Sequence, residues 1–114
     1  MEFPKDQIDE LKSIAPNLSI AEEGVYTYIL IEGYQLPEGC VPLIVDLLLC
    51  PMSRDGYESR LYFPQRITGI PVTPNWNGVV RVLERNWEAF SWRTQGGLRL
   101  LEMLLVHLKG LQRK

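Results

Sequence analysis

The sequence predicts an α+β domain: an antiparallel β-meander with an N-terminal and a C-terminal helix packed on one side. Three observations carry that expectation. Apolar residues recur at helical spacing near both ends of the chain. Between them lie short runs rich in β-branched and aromatic residues. The order helix, strands, helix segregates the two kinds of element, as α+β domains do.

Residues 4–14 read as a short helix. Pro4 suits a first turn, Asp6 and Asp9 suit a helix N-terminus, and Ile8, Leu11 and Ile14 recur at a spacing of three. Pro16-Asn17 ends it. Val25 to Ile31 reads as a strand, central because both of its faces are apolar or nearly so. A loop punctuated by Pro37, Gly39 and Pro42 follows. Leu43 to Leu49 is a second buried strand closed by Pro51, although a buried helical turn of that length would look similar. Ser53-Arg54-Asp55-Gly56 is a turn, and Arg60 to Phe63 a short third strand ended by Pro64.

Residues 64–78 read as an irregular loop with Pro64, Pro71 and Pro74, and loops of that length tend to be functional or mobile. Asn77-Gly78 reads as a tight turn before a strand at Val79 to Leu83. Glu84-Arg85-Asn86 connects that strand to its hairpin partner, Trp87 to Arg93. Alternation puts Trp87, Ala89, Ser91 and Arg93 on one face, with Phe90 and Trp92 on the other. After Gln95-Gly96-Gly97, Leu98 to Gln112 forms the closing helix. Leu98, Leu101, Leu104, Leu105, Leu108 and Leu111 make its apolar stripe.

Composition bounds the function. The 114 residues fit one domain, spanning 1–114, and 46% hydrophobic with 23% charged residues excludes disorder. Two cysteines, with no CxxC and no Cys/His cluster, make neither a disulfide framework nor a zinc site. The start of the chain has no basic and apolar leader, and no apolar run approaches bilayer length. A cytoplasmic protein with reduced thiols is therefore expected. No phosphate loop, GxGxxG, HExxH or EF-hand pattern occurs, so no cofactor or metal is expected. Residues 1–57 hold ten acids and three bases, −7, whereas residues 58–114 hold four acids and nine bases, +5. The simple expectation is that the halves neutralise each other. The sharper one is a basic face that docks an acidic protein partner. Nucleic acid is disfavoured by the net charge of −2 and the lack of a Lys/Arg cluster.

Few residues offer chemistry. His107 is the single histidine and reads as structural. Asp46 interrupts an apolar strand, so it either faces outward or pairs with one of the second-half arginines. Cys50 reads as a small buried hydrophobe, Cys40 as the more accessible thiol. Trp76, Trp87 and Trp92 lie near Arg81 and Arg93 in sequence. Tryptophan and arginine together are what binding hot spots are made of, and the loop from Gly69 to Gly78 with Trp76 is the preferred surface.

Three further strings carry a family resemblance. The first runs from Glu23-Gly24-Val25 to Gly33-Tyr34-Gln35-Leu36-Pro37. The second joins Asp46-Leu47-Leu48 and Pro51 to Gly56-Tyr57 and Leu61-Tyr62-Phe63-Pro64. The third is Asn77-Gly78 followed by Trp87-Glu88-Ala89-Phe90-Ser91-Trp92-Arg93 and the last helix. With the order of elements, they resemble ubiquitin-conjugating (E2) enzymes, and more closely the small bacterial E2-like proteins encoded beside ubiquitin-like, E1-like and JAB-peptidase proteins. The resemblance covers most of the chain from residue 23 onward. It implies the E2 fold and a binding role toward a ubiquitin-like or E1-like protein. The catalytic pattern departs from the family: residues 64–97 hold no cysteine, Pro74-Asn75 is only part of the His-Pro-Asn signature, and Glu58 rather than proline follows Tyr57. The first helix, basic in the family, carries Asp6, Asp9 and Glu10. A noncatalytic binder is therefore the leading expectation. The alternatives are a conjugating enzyme using Cys40 or Ser91, and a module that homodimerises through Leu100, Met103 and Val106 of the last helix.

Overall fold

The computed structural model describes residues 2–112. Helix α1 spans Lys5–Lys12. Strands β1 (Leu18–Glu23), β2 (Tyr26–Gln35), β3 (Ile44–Cys50) and β4 (Arg60–Tyr62) follow. Strands β5 (Trp76–Val82) and β6 (Arg85–Phe90) precede helix α2 (Leu100–Leu108), which ends in a 3-10 turn at Lys109–Leu111. The first four strands form an antiparallel sheet in chain order, and β5 and β6 form a separate hairpin.

Pleating gives that sheet two faces. Ile29, Leu49 and Leu61 are register partners on one face, and Leu30, Leu48 and Tyr62 on the other. The first set packs with Leu11 of α1 and with Leu100, Leu104 and Leu108 of α2. On the second face, Tyr28, Leu48, Cys50 and Tyr62 pack with Val82, Trp87 and Ala89 of the hairpin. The helices share one side, as the sequence led us to expect, and the hairpin forms an additional layer on the opposite side. The hairpin stays tied to the sheet edge by two main-chain hydrogen bonds of 2.7 Å between Phe63 and Glu88. Beside them, the Phe63, Phe90 and Trp76 rings meet at centroid distances of 5.2 to 5.7 Å.

The acids of α1 find their role at α2. Arg99 pairs with Asp6 at 2.9 Å and Glu10 at 3.1 Å, and Gln7 Oε1 accepts the Leu100 N–H. Arg85 pairs with Asp46 at 3.0 Å. The opposite charges of the two halves thus meet in specific pairs.

Several expectations are corrected. Strand β1 was not foreseen, because an edge strand reading Leu-Ser-Ile-Ala-Glu-Glu leaves most of its side chains exposed and shows little pattern. Asn77-Gly78 is not a turn. It lies inside β5 next to a bulge, and the hairpin reverses at Leu83-Glu84, both with positive φ. That geometry belongs to the type I′ turn, and here it is imposed on two residues that do not favour it. The stripe of α2 is rotated: Leu100, Leu104, His107 and Leu108 are buried, whereas Leu105 is 44% exposed. Leu100 is therefore core and cannot serve a dimer interface.

Gly110, in the closing turn, is needed for its size. A Cβ there would lie 2.4 Å from Phe90 Cε2 and 3.3 Å from Trp92 Cδ2. Gly110→Ala should force the Phe90 ring aside and destabilise the fold by about 1–3 kcal/mol, read as a lowered urea midpoint at unchanged slope.

Candidate functional site

Neither thiol is accessible. Cys40 and Cys50 are both buried, and burial raises both thiols. Cys40 is therefore not the accessible thiol its loop suggested. Cys50 Sγ–H donates to the Met52 carbonyl. His107 Nε2 and Ser59 Oγ are hydrogen-bonded at 2.8 Å, and Ser59 also meets Thr94 Oγ1 at 3.2 Å. Only 1% of Ser59 and 3% of His107 is exposed, so this Ser–His pair is sealed from any substrate. Burial, with a smaller push from the Arg60 charge, lowers His107 to about 4. Asp46 is satisfied by Arg85 and by the Gly33 N–H at 2.9 Å. Among the described residues no group of His, Cys, Asp and Glu could hold a metal ion, and no helix is long and apolar enough to cross a membrane.

A polar cluster forms instead around Tyr57. The Arg60 side chain, 5% exposed, runs beneath β5. Gly78 leaves room for it: a Cβ there would sit 3.1 Å from Arg60 Nη1 and crowd the guanidinium. Arg60 Nη2 donates to Asn77 Oδ1 at 3.0 Å and to the Phe90 carbonyl at 3.4 Å. This fixes the Asn77 amide so that its Nδ2 donates to Ser91 Oγ and, at 3.4 Å, to Tyr57 OH. The Tyr57 hydroxyl in turn donates to Ser91 Oγ at 3.0 Å. The hydrogen bonds that Ser91 and Asn77 offer the phenolate, then the Arg60 and Arg93 charges, lower the Tyr57 phenol below its usual range. Arg93 lies over the Tyr57 ring, 5.1 Å from its centroid, and donates to the Gly56 carbonyl at 3.0 Å. The sequence did not connect Tyr57 and Asn77 with Ser91. They converge through the β4 approach, the β5 bulge and the end of β6.

Arg93 also borders a groove of about 510 Å³. One wall is residues 93–95. The other is the outer side of α2 with its flanks: Leu98, Glu102, Leu105, Val106 and Lys109. Trp92 Nε1 donates to the Val106 carbonyl at 2.7 Å, which holds the two walls together. Across the Leu105 and Lys109 ridge lies a second cleft of about 390 Å³, reaching Tyr34 and Pro37.

The other binding candidates scatter. Trp87 is wholly buried, and its indole N–H donates to the Val82 carbonyl at 3.0 Å, so it cannot meet a partner. Trp76 belongs to β5 rather than a free loop and packs edge-on against Phe63 and Phe90. Arg81 is exposed beside the hairpin turn, bonded to Asn86 and to the Glu84 carbonyl. Only Trp92 and Arg93 adjoin the groove. Leu105, its most exposed apolar residue, had been assigned to the core stripe.

Comparison with protein-family models, with curated proteins and with solved structures gives no match to this chain.

Two outcomes are expected. In native protein, both thiols should react with a thiol-specific dye far more slowly than in urea-unfolded protein; fast labelling of Cys40 would contradict its placement. For His107 the folded-state value of about 4 lies below the ordinary 6.5, so folding favours the neutral ring. Its contribution is complete above pH 6.5 and is lost as the pH falls toward 4, about 3 kcal/mol in all. Urea midpoints across that window should fall less steeply in His107→Gln than in the parent.

Proposed function

We propose that the chain is a noncatalytic E2-like binding domain of a bacterial ubiquitin-like conjugation or related pathway, working in the cytoplasm. It recognises a ubiquitin-like or E1-like protein. The observation that carries this reading is the open groove along α2, with its exposed Leu105 and flanking Arg93, in a chain whose thiols and histidine are buried. The antiparallel sheet with both helices on one side agrees with it at the level of α+β architecture.

A second reading, a conjugating enzyme acting through Ser91, draws on the Tyr57 hydroxyl 3.0 Å away. An ester-forming serine needs a base to take its proton. As hydrogen-bonded here, Ser91 Oγ accepts from both Tyr57 and Asn77, and no carboxylate or imidazole is bonded to it among the described residues.

Leu105→Lys should lower the affinity for a ubiquitin-like or E1-like partner by about tenfold or more, measured by titration, while leaving the urea midpoint unchanged. Capture of that partner should survive both reductant and hydroxylamine. Release by reductant would mark a cysteine thioester. An adduct lost in Ser91→Ala would establish the enzyme and overturn the binder.

A further inference from the structure

We propose that the α2 groove takes an extended segment of a partner protein in which an acidic residue leads into apolar ones. This rests on the binding-domain reading and adds the chemistry of the occupant.

The floor selects apolar side chains. Leu98, Leu105 and Val106 line it, and Leu105 is 44% exposed on a helix whose other face is already spent on the core. The rim selects negative charge. Its cations are Arg93 and Lys109, and its single acid is Glu102. Glu102 is engaged at the start of α2: its Oε1 accepts the Arg99 N–H at 2.9 Å. Lys109 makes no ion pair among the described residues, and Arg93 is bonded only to a neutral carbonyl and a phenol ring.

The two cations also share one end of the groove. The Trp92 bond to the Val106 carbonyl places residue 93 at the level of Val106, one turn short of Lys109. Positive potential is therefore concentrated there, and the apolar side chains Leu105 and Leu98 lie toward the other end, with Glu102 between them in sequence. A basic occupant would meet like charge. A wholly apolar one would desolvate two cations with nothing in return. Along Leu100–Leu108 the groove follows about two and a half helical turns, roughly 13 Å, which accommodates about four residues of extended chain.

The probe is a fluorescein-labelled heptapeptide, Gly-Asp-Asp-Leu-Val-Leu-Gly, compared with the same peptide carrying lysines for aspartates. Anisotropy should show the acidic peptide binding about tenfold or more tightly than the basic one, with rising salt weakening it. The shifted amide signals should be those of residues 93–95 and 105–109. In the Arg93→Glu/Lys109→Glu double variant the preference should reverse. Equal binding of both peptides, or shifts elsewhere on the surface, would overturn the proposal. Partner capture that is lost in Leu105→Lys but untouched by the double charge reversal would overturn the acidic occupant and leave the binding domain standing. Capture indifferent to both would remove the two together.

Discussion

The central strands hold apolar side chains on both faces, and the rest of the structure follows from that. Leu47, Leu48 and Leu49 are consecutive in β3, so they alternate between faces, yet none retains any exposure. Full burial of a leucine is worth about 1.5–3 kcal/mol, so neither face can be left to water. The chain therefore has to cover the sheet twice. The helices near its two ends close one face, and the β5–β6 hairpin closes the other. The second cover hangs on little backbone pairing. Its attachment is the Phe63 and Glu88 bridge, reinforced by the aromatic contacts among Phe63, Phe90 and Trp76.

Crossing from one face to the other creates the polar cluster. Where the hairpin leaves the sheet edge, Arg60 is enclosed between β4 and β5, and a buried guanidinium must be satisfied. It is met by Asn77 Oδ1, the Phe90 carbonyl and the Tyr57 ring, with Asp55 at 3.5 Å. Those contacts fix Asn77 and Tyr57, and through them Ser91. Arg93 is then stacked on Tyr57 at the mouth of the α2 groove. A structural demand of the hairpin thus sets the position of a cation facing solvent. His107 and Ser59 play the inward counterpart, a satisfied polar pair where α2 meets the sheet region.

The sequence made the central strands and α2 legible because their apolar content exceeds what a loop could carry, and α1 through Pro4, Asp6 and Asp9 and the spacing of Ile8, Leu11 and Ile14. It hid the elements whose residues serve two masters. Strand β1 is an edge and is half polar, so its alternation is weak. Asn77-Gly78 has the composition of a turn, but glycine is there to let Arg60 pass and asparagine to receive it. Leu83-Glu84 lacks any turn signal and still reverses the chain. From Leu98 to Leu111, six leucines at helical spacing could not reveal which edge of the stripe would be left uncovered, since that depends on the angle at which the helix meets the sheet. Trp87 and Trp76 were read as a surface because tryptophan serves cores and interfaces alike. Of the sequence candidates, Arg93 and Trp92 are the two that lie by the α2 groove, a feature the sequence did not show.

The clamp between α1 and α2 has a consequence for how the molecule is made. Leu100 and Gln7 are 93 residues apart and share a hydrogen bond, and Arg99 reaches the same helix at Asp6 and Glu10. An eight-residue helix has little stability of its own. During synthesis Asp6, Gln7 and Glu10 of α1 therefore lack their α2 partners until that helix has emerged from the ribosome, and the part of the meander face that Leu100, Leu104 and Leu108 cover stays open for the same interval. Completion of the fold is a late, long-range closure, and until it occurs the nascent meander, unlike the finished protein, exposes apolar surface.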